Sequence, residues 1–211
     1  MDLKHFIIKL QGELFSRLPG KEAHLMMVPP TRKVKLMENY FPENGKPSAV
    51  LVLFYPHNND FNFVLIKRAH YNGVHSGQIA LPGGQFEDCD QNLETTALRE
   101  TEEEIGIDQR KVSIIGELSS LYIPPSNFKV YPYVGYLKNK PEFKLDGTET
   151  KGIFEVSVTE FLNPTIQTTK PIKTRDGKDA NVPCFYINKQ VVWGATAMII
   201  NELRMILQKV V

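Results

Sequence analysis

Between Ala49 and Tyr55 the chain reads Ala-Val-Leu-Val-Leu-Phe-Tyr, an unbroken apolar run. A strand with one face in water alternates apolar and polar side chains. An unbroken run therefore predicts a strand covered on both faces. His57-Asn58-Asn59-Asp60 reads as a turn and Phe61–Ile66 as the returning strand. Further strands are expected at Gln78–Leu81 (ending at Pro82-Gly83-Gly84), Lys111–Leu118, Lys129–Leu137, Ile153–Val158 and Cys184–Ile187. Helical spacing is found at residues 2–18, through Leu3, Phe6, Ile7, Leu10, Leu14, Phe15 and Leu18, with Pro19-Gly20 as a stop. Residues 92–105, closed by Gly106, form a second helix. Trp193–Val210 forms a third, with Met198, Ile199, Leu203, Ile206 and Leu207 on its apolar side. Interleaved strands and helices predict an α/β (α+β) chain with a mixed β-sheet sandwiched between α-helices.

The 211 residues suffice for one main domain. Irregular connectors at Pro29-Pro30 and from Pro42 to Pro47 divide an N-terminal helical extension, 1–46, from a main domain, 47–211. A net charge of +1 argues against a nucleic-acid partner, and the patch Arg32-Lys33-Val34-Lys35 reads as a solvated face. No stretch approaches the ~20 apolar residues of a membrane span, and no signal peptide is apparent. The expectation is a soluble, cytoplasmic protein. Cys89 and Cys184 form no C-x-x-C pattern and are expected to be free, buried thiols. His70 and His75 lack a cysteine or acidic partner at zinc spacing.

Chemistry is concentrated in Leu81–Ile107, LPGGQFEDCDQNLETTALRETEEEIGI. At about 100° per residue, Glu103 lies about 60° to one side of Glu100 and Glu104 about 40° to the other. Three carboxylates thus share one helix face, while Glu102 points away. Ala97, Leu98, Thr101 and Ile105 form the adjoining stripe to be buried. Like charges at these spacings repel, and more strongly as water is removed. A hard divalent cation such as Mg2+ or Mn2+ relieves that conflict. A solvated acidic face would carry the same glutamates, so the flanking residues matter. Pro82-Gly83-Gly84 lets the backbone approach a metal or phosphate closely. Arg99 is placed to fix a carboxylate by paired hydrogen bonds.

This segment resembles the Nudix box, G-x5-E-x7-R-E-U-x-E-E-x-G-U with U a bulky apolar residue. Gly84, Arg99, Glu100, Glu103, Glu104, Gly106 and Ile107 fit it. Asp90 stands where the first Glu is usual, eight residues rather than seven separate it from Arg99, and Thr101 follows Glu100. The longer connector is similar to that of the Nudix subgroup acting on coenzyme A. That subgroup also carries an upstream signature, L-L-T-x-R-[SA]-x3-R-x3-G-x3-F-P-G-G. Arg68, Ala69, Gly77 and Pro82-Gly83-Gly84 are in register with it; Gly73 replaces its second Arg, and Leu81 its Phe. Ser126–Pro132 and Val192-Trp193-Gly194 also look like segments of the subgroup. The resemblance covers roughly residues 47–208.

The resemblance implies a Nudix fold and a diphosphatase dependent on Mg2+ or Mn2+. The reaction it implies is hydrolysis of the pyrophosphate bond of coenzyme A or a derivative, giving 4′-phosphopantetheine and adenosine 3′,5′-bisphosphate. Glu100, Glu103 and Glu104 are the implied metal ligands, with the Gly83 carbonyl as an extra one. Arg99 orients a carboxylate, and Arg68 and Gly84 meet the substrate. The general base is left among Glu100, Glu103 and Glu149. The implied partner is a small nucleotide, with a homodimer admissible. ADP-ribose or a nucleoside triphosphate is the alternative substrate, and a non-catalytic ligand-binding module the alternative class.

Overall fold

The computed structural model describes residues 1–29, 33, 45–71, 73, 75–173 and 179–211. The basic patch at 32–35, apart from Lys33, and the connector from Pro42 to Asn44 lie outside the described residues.

Strand β1 (Lys46–His57) organises the molecule. It pairs antiparallel with β2 (Asp60–Arg68) through the turn at Asn58 and Asn59, both in the left-handed region. Its other partners are β4 (Gly83–Gln85), antiparallel, and β7 (Phe128–Tyr136), parallel. Strands β3 (Ile79–Ala80) and β8 (Thr150–Ser157) join β2, while β5 (Ser113–Glu117) and β6 (Leu121–Ile123) join β7. The result is a mixed eight-stranded sheet, as the interleaved pattern requires. A smaller antiparallel sheet holds β9 (Gln167–Lys173), β10 (Asp179–Ile187) and β11 (Gln190–Trp193).

The apolar run of β1 divides its residues between two cores. Ala49, Leu51, Leu53 and Tyr55 face α3 (Leu93–Ile105), which contributes Ala97 and Ile105. Val52 and Phe54 face the opposite core, shared with α1 (Leu3–Leu14), α4 (Val158–Leu162) and α5 (Gly194–Val210). Period-2 side-chain alternation on a strand covered on both faces yields this division. The apolar positions expected on α5 are all buried.

The extension is packed into the same core. Phe6 is fully buried, stacks on Phe61 with ring centroids 4.0 Å apart, and meets Phe54 edge-on at 5.4 Å. Burial of such a ring contributes roughly 1.5–3 kcal/mol. The first helix ends at Leu14 rather than residue 18, so Phe15, expected on the apolar stripe, is 77% exposed. After Pro19-Gly20 a short helix follows, α2 (Lys21–Met26). Its His24 Nε2 meets Glu202 Oε2 of α5 at 3.1 Å, both side chains fully buried. Glu202 also accepts from the Gly20 N–H (2.9 Å), the Ser119 N–H (3.1 Å) and the Ser119 hydroxyl (2.7 Å). Such saturation makes a buried carboxylate tolerable. Burial alone would raise the pKa of Glu202; the bonds from His24, Ser119 and Gly20 outweigh it and hold the group below its ordinary value.

Cys184 is buried and free as expected, whereas Cys89 is free but exposed, because its connector runs over the surface. No helix among the described residues is long and apolar enough to cross a membrane.

Candidate active site

Helix α3 starts where Asn92 caps it. The Asn92 side chain accepts from the Thr95 N–H (2.9 Å), and the Thr95 hydroxyl accepts from the Asn92 N–H (3.0 Å). The helix ends at Gly106, whose φ of 73° is the left-handed conformation that closes helices. Thr101, in place of a large aliphatic residue, is buried and donates its hydroxyl to the Ala97 carbonyl at 2.7 Å. That bond satisfies the hydroxyl within the helix itself.

The glycine turn is held directly against β1, with Gly83 beside Val50 and Gly84 beside Ala49. A Cβ on Gly83 (φ +145°) would sit 2.5 Å from Val50 Cα. On Gly84 it would meet the Glu100 carboxylate, with Oε2 at 2.6 Å. The two glycines are therefore required for different reasons: one admits the neighbouring strand, the other admits the carboxylate.

The three glutamates of the helix face differ in environment. Glu103 is the outermost, its side chain 59% exposed, against 13% for Glu100 and 3% for Glu104. Glu104 accepts from the Gly83 N–H at 2.9 Å and lies 3.9 Å from the Arg68 guanidinium. Burial pushes its pKa up to about 8, the Gly83 N–H and Arg68 oppose the rise, and Glu100 and Glu149 add to it. Burial likewise raises Glu100; Arg99 opposes, and Glu103 and Glu149 add. Glu102 turns away, as expected, and accepts from Gln109 at 3.0 Å.

Arg99 ties this face to the connector. Its Nε and Nη2 donate to the two oxygens of Asp90 (2.8 and 3.0 Å), and its Nη1 donates to Glu100 (3.0 Å) and Glu103 (3.1 Å). Nη2 also donates to the Gln85 carbonyl at 3.2 Å. Asp90 further accepts from the Glu87 N–H (3.0 Å) and the Thr96 hydroxyl (2.9 Å). The Arg99 bonds, against the effect of burial and with help from Glu87 and Thr96, hold its carboxyl down to about 2. The unusual Asp with its longer connector thus anchors Arg99, a link that spacing alone leaves open.

Arg68 stands at the end of β2, where a bulge interrupts the pairing with β8. The buried Arg68 Nε and Thr150 Oγ1, on paired residues, have no hydrogen-bond partner among the described residues. Glu149 is exposed in the loop before β8, and its carbonyl accepts from the Ala69 N–H at 2.7 Å. Among the described residues no three acidic, histidine or cysteine side chains form a ready metal cage. The donor chemistry nonetheless fits a hard cation. Glu100 and Glu104 are hard oxygen donors drawn from water on one helix face, and burial and neighbouring carboxylates raise both in pKa even with Arg99 and Arg68 beside them.

A model of the NUDIX domain matches residues 45–175. The chain is 32% identical over 178 residues to an uncharacterized Nudix hydrolase, NudL, of Yersinia pestis (strain Pestoides F), covering 84% of this chain and 88% of that protein. The same figures hold for the NudL of Yersinia pseudotuberculosis serotype O:1b (strain IP 31758). The chain therefore belongs to the Nudix hydrolase family. Among solved structures, it is similar to a MutT/nudix family protein from Enterococcus faecalis (TM-score 0.49, 16% identity, 86% of this chain and 70% of that one). Another is the NUDIX domain of Shewanella oneidensis NrtR complexed with ADP ribose (TM-score 0.45, 18% identity, 61% and 85%).

Proposed function

We propose that this hydrolase cleaves the pyrophosphate bond of coenzyme A or a derivative, releasing 4′-phosphopantetheine and adenosine 3′,5′-bisphosphate. The observation that carries a metal-dependent pyrophosphatase is the pair of desolvated carboxylates, Glu100 and Glu104, against the Gly83-Gly84 turn. The coenzyme A preference is supported by the register of Arg68, Ala69, Gly77 and Pro82-Gly83-Gly84 with the subgroup signature, and by the longer connector.

In this reading Glu100, Glu103 and Glu104, with the Gly83 carbonyl, hold Mg2+ or Mn2+. When bound, the ion neutralises phosphate charge and acidifies a water. Arg99 keeps Glu100 and Glu103 aligned. Arg68, whose side chain is 28% exposed beside Glu104, meets a phosphate oxygen. Gly84 leaves room for the Glu100 carboxylate, beside which the substrate approaches. Glu149 takes the proton from the attacking water. Its carboxylate enters no ion pair among the described residues, whereas Arg99 engages Glu100 and Glu103. Hydrolysis here is mainly positioning and charge stabilisation. The substrate is a free small nucleotide.

Gly73, where the second signature Arg is expected, favours a second reading in which ADP-ribose or a nucleoside triphosphate is the substrate. Purified protein with Mg2+ or Mn2+, and EDTA as control, is to be assayed against coenzyme A, ADP-ribose, nucleoside triphosphates and dinucleoside polyphosphates, with products identified. Coenzyme A is expected to turn over fastest; faster cleavage of any other substrate overturns the preference.

A further inference from the structure

We infer that Asp146 is a positioning residue for Glu149, fixing the loop that presents this carboxylate to Glu100 and Glu104. The inference rests on the reading above that Glu149 belongs to the site. Asp146 Oδ2 accepts from the Glu149 N–H (2.9 Å) and from the Thr148 hydroxyl, and Oδ1 accepts from the Thr150 N–H (3.0 Å). The turn depends on Gly147, at φ +77°, which reverses the chain so that the Asp146 carboxylate lies under the amides three and four residues on. Lys151 closes the turn from outside by donating to the Gly147 carbonyl at 2.6 Å. On its other side Glu149 is fixed by its own carbonyl, which accepts from the Ala69 N–H beside Arg68. Both main-chain polar groups of Glu149 are thus committed, one to Asp146 and one to the strand that carries Arg68.

Fixing the backbone on both sides matters because Glu149 is exposed and its carboxylate has no ion-pair partner among the described residues. Among the described residues no hydrogen bond or ion pair of its own side chain sets its position. Its neighbour Thr150 pairs with Arg68, whose guanidinium lies 3.9 Å from Glu104, which brings the Glu149 loop to the edge of the site. A group placed only through its main chain loses its place when that main chain is released, and displacement by about 1 Å costs on the order of a hundredfold in rate. Asp146 bonds to no proposed metal ligand among the described residues, so its effect on the site passes through the turn that carries Glu149.

The test is a double-mutant cycle of Asp146→Ala with Glu149→Gln, run on whichever substrate the purified protein cleaves fastest. Asp146→Ala is expected to lower kcat by about tenfold to a hundredfold, with KM within about twofold. On a Glu149→Gln background it is expected to cost almost nothing more. Asp146→Asn, which keeps an acceptor oxygen, is expected to recover part of the loss. Unchanged kcat in Asp146→Ala, or a loss that simply multiplies with that of Glu149→Gln, overturns the inference. Amide hydrogen exchange at Glu149 and Thr150 gives a readout independent of turnover: protection is expected to fall in Asp146→Ala, and unaltered protection overturns the inference. A substrate other than coenzyme A would sink the substrate preference and leave this cycle to be read on that substrate.

Discussion

Asp90 grips Arg99 with both carboxylate oxygens, at 2.8 and 3.0 Å, across nine positions of sequence. Removing it takes two charge-assisted bonds from a partly buried guanidinium, the shorter of two bonds from the Thr96 hydroxyl, and the acceptor of the Glu87 N–H. Asp90→Ala is expected to cost about 2–3 kcal/mol of stability, lowering Tm by roughly 4–10 °C. Turnover is expected to fall as well, because Arg99 also holds Glu100 and Glu103. Calorimetry with steady-state kinetics checks both, and a Tm within a degree or so of wild type would contradict the anchoring role.

The adjacent glycines are expected to fail in opposite ways. In Gly83→Ala the new methyl meets the backbone of β1, which cannot yield, and φ +145° is strained for any other residue. Loss of more than about 3 kcal/mol is expected, read by urea denaturation. In Gly84→Ala the three nearest atoms to the methyl all belong to the end of the Glu100 side chain, which can swing aside. Stability is expected to stay within about 1 kcal/mol while kcat falls at least tenfold or so, since a displaced carboxylate no longer serves the metal. Equal effects of the two substitutions on folding would refute this division.

Glu104→Gln keeps an acceptor oxygen for the Gly83 N–H but removes the charge. A neutral amide is a poorer donor to a hard cation. Turnover is expected to fall by about a hundredfold or more with weaker divalent binding, while Tm holds or rises because a buried acid has been neutralised. Isothermal titration with Mn2+ and kinetics decide; undiminished turnover would remove Glu104 from the proposed ligand set.

The Glu202 network makes stability depend on pH in a definite direction. Its folded pKa lies below the ordinary carboxylate value, so its contribution is complete above the unfolded pKa and disappears as pH falls through the folded one. Wild type is expected to lose stability relative to Glu202→Gln as pH drops from about 6 to 3. Denaturant titrations of both proteins at several pH values measure this difference, and a gap that stays constant would show that Glu202 titrates alike in the folded and unfolded chains.

Much of this architecture was legible in the residues. The apolar run of β1, its turn and return strand, and the helix from Asn92 to Gly106 each carry a local signal in burial pattern or cap. Strands β4 and β9 carry none. Gly83-Gly84-Gln85 is a strand only because β1 lies beside it, and Gln167–Lys173, polar and with no fully buried residue, is defined by pairing with β10. Phe15 misled because helical spacing continues past the point where the helix stops. In the site, Glu100, Glu103 and Glu104 were readable from helix geometry, though not their unequal burial, which depends on how the helix rolls against the glycine turn. The role of Asp90 was open because a connector's path is not set by its length, and Asp146 was missed because its partners are main-chain amides.

The meeting of the first and last helices has a consequence for synthesis. Lys9 reaches the Val210 carbonyl, Lys209 pairs with Glu13, and His24 meets Glu202, all across more than 170 positions of sequence. Phe6 can meet Phe54 and Phe61 as soon as the first hairpin is made, but the side of the first helix that faces α5 stays uncovered until α5 leaves the ribosome, the situation in which contacts distant in sequence slow folding and invite aggregation. A nascent chain halted before Gly194 should be cut by protease in its first helix, and one extended beyond Val210 should resist.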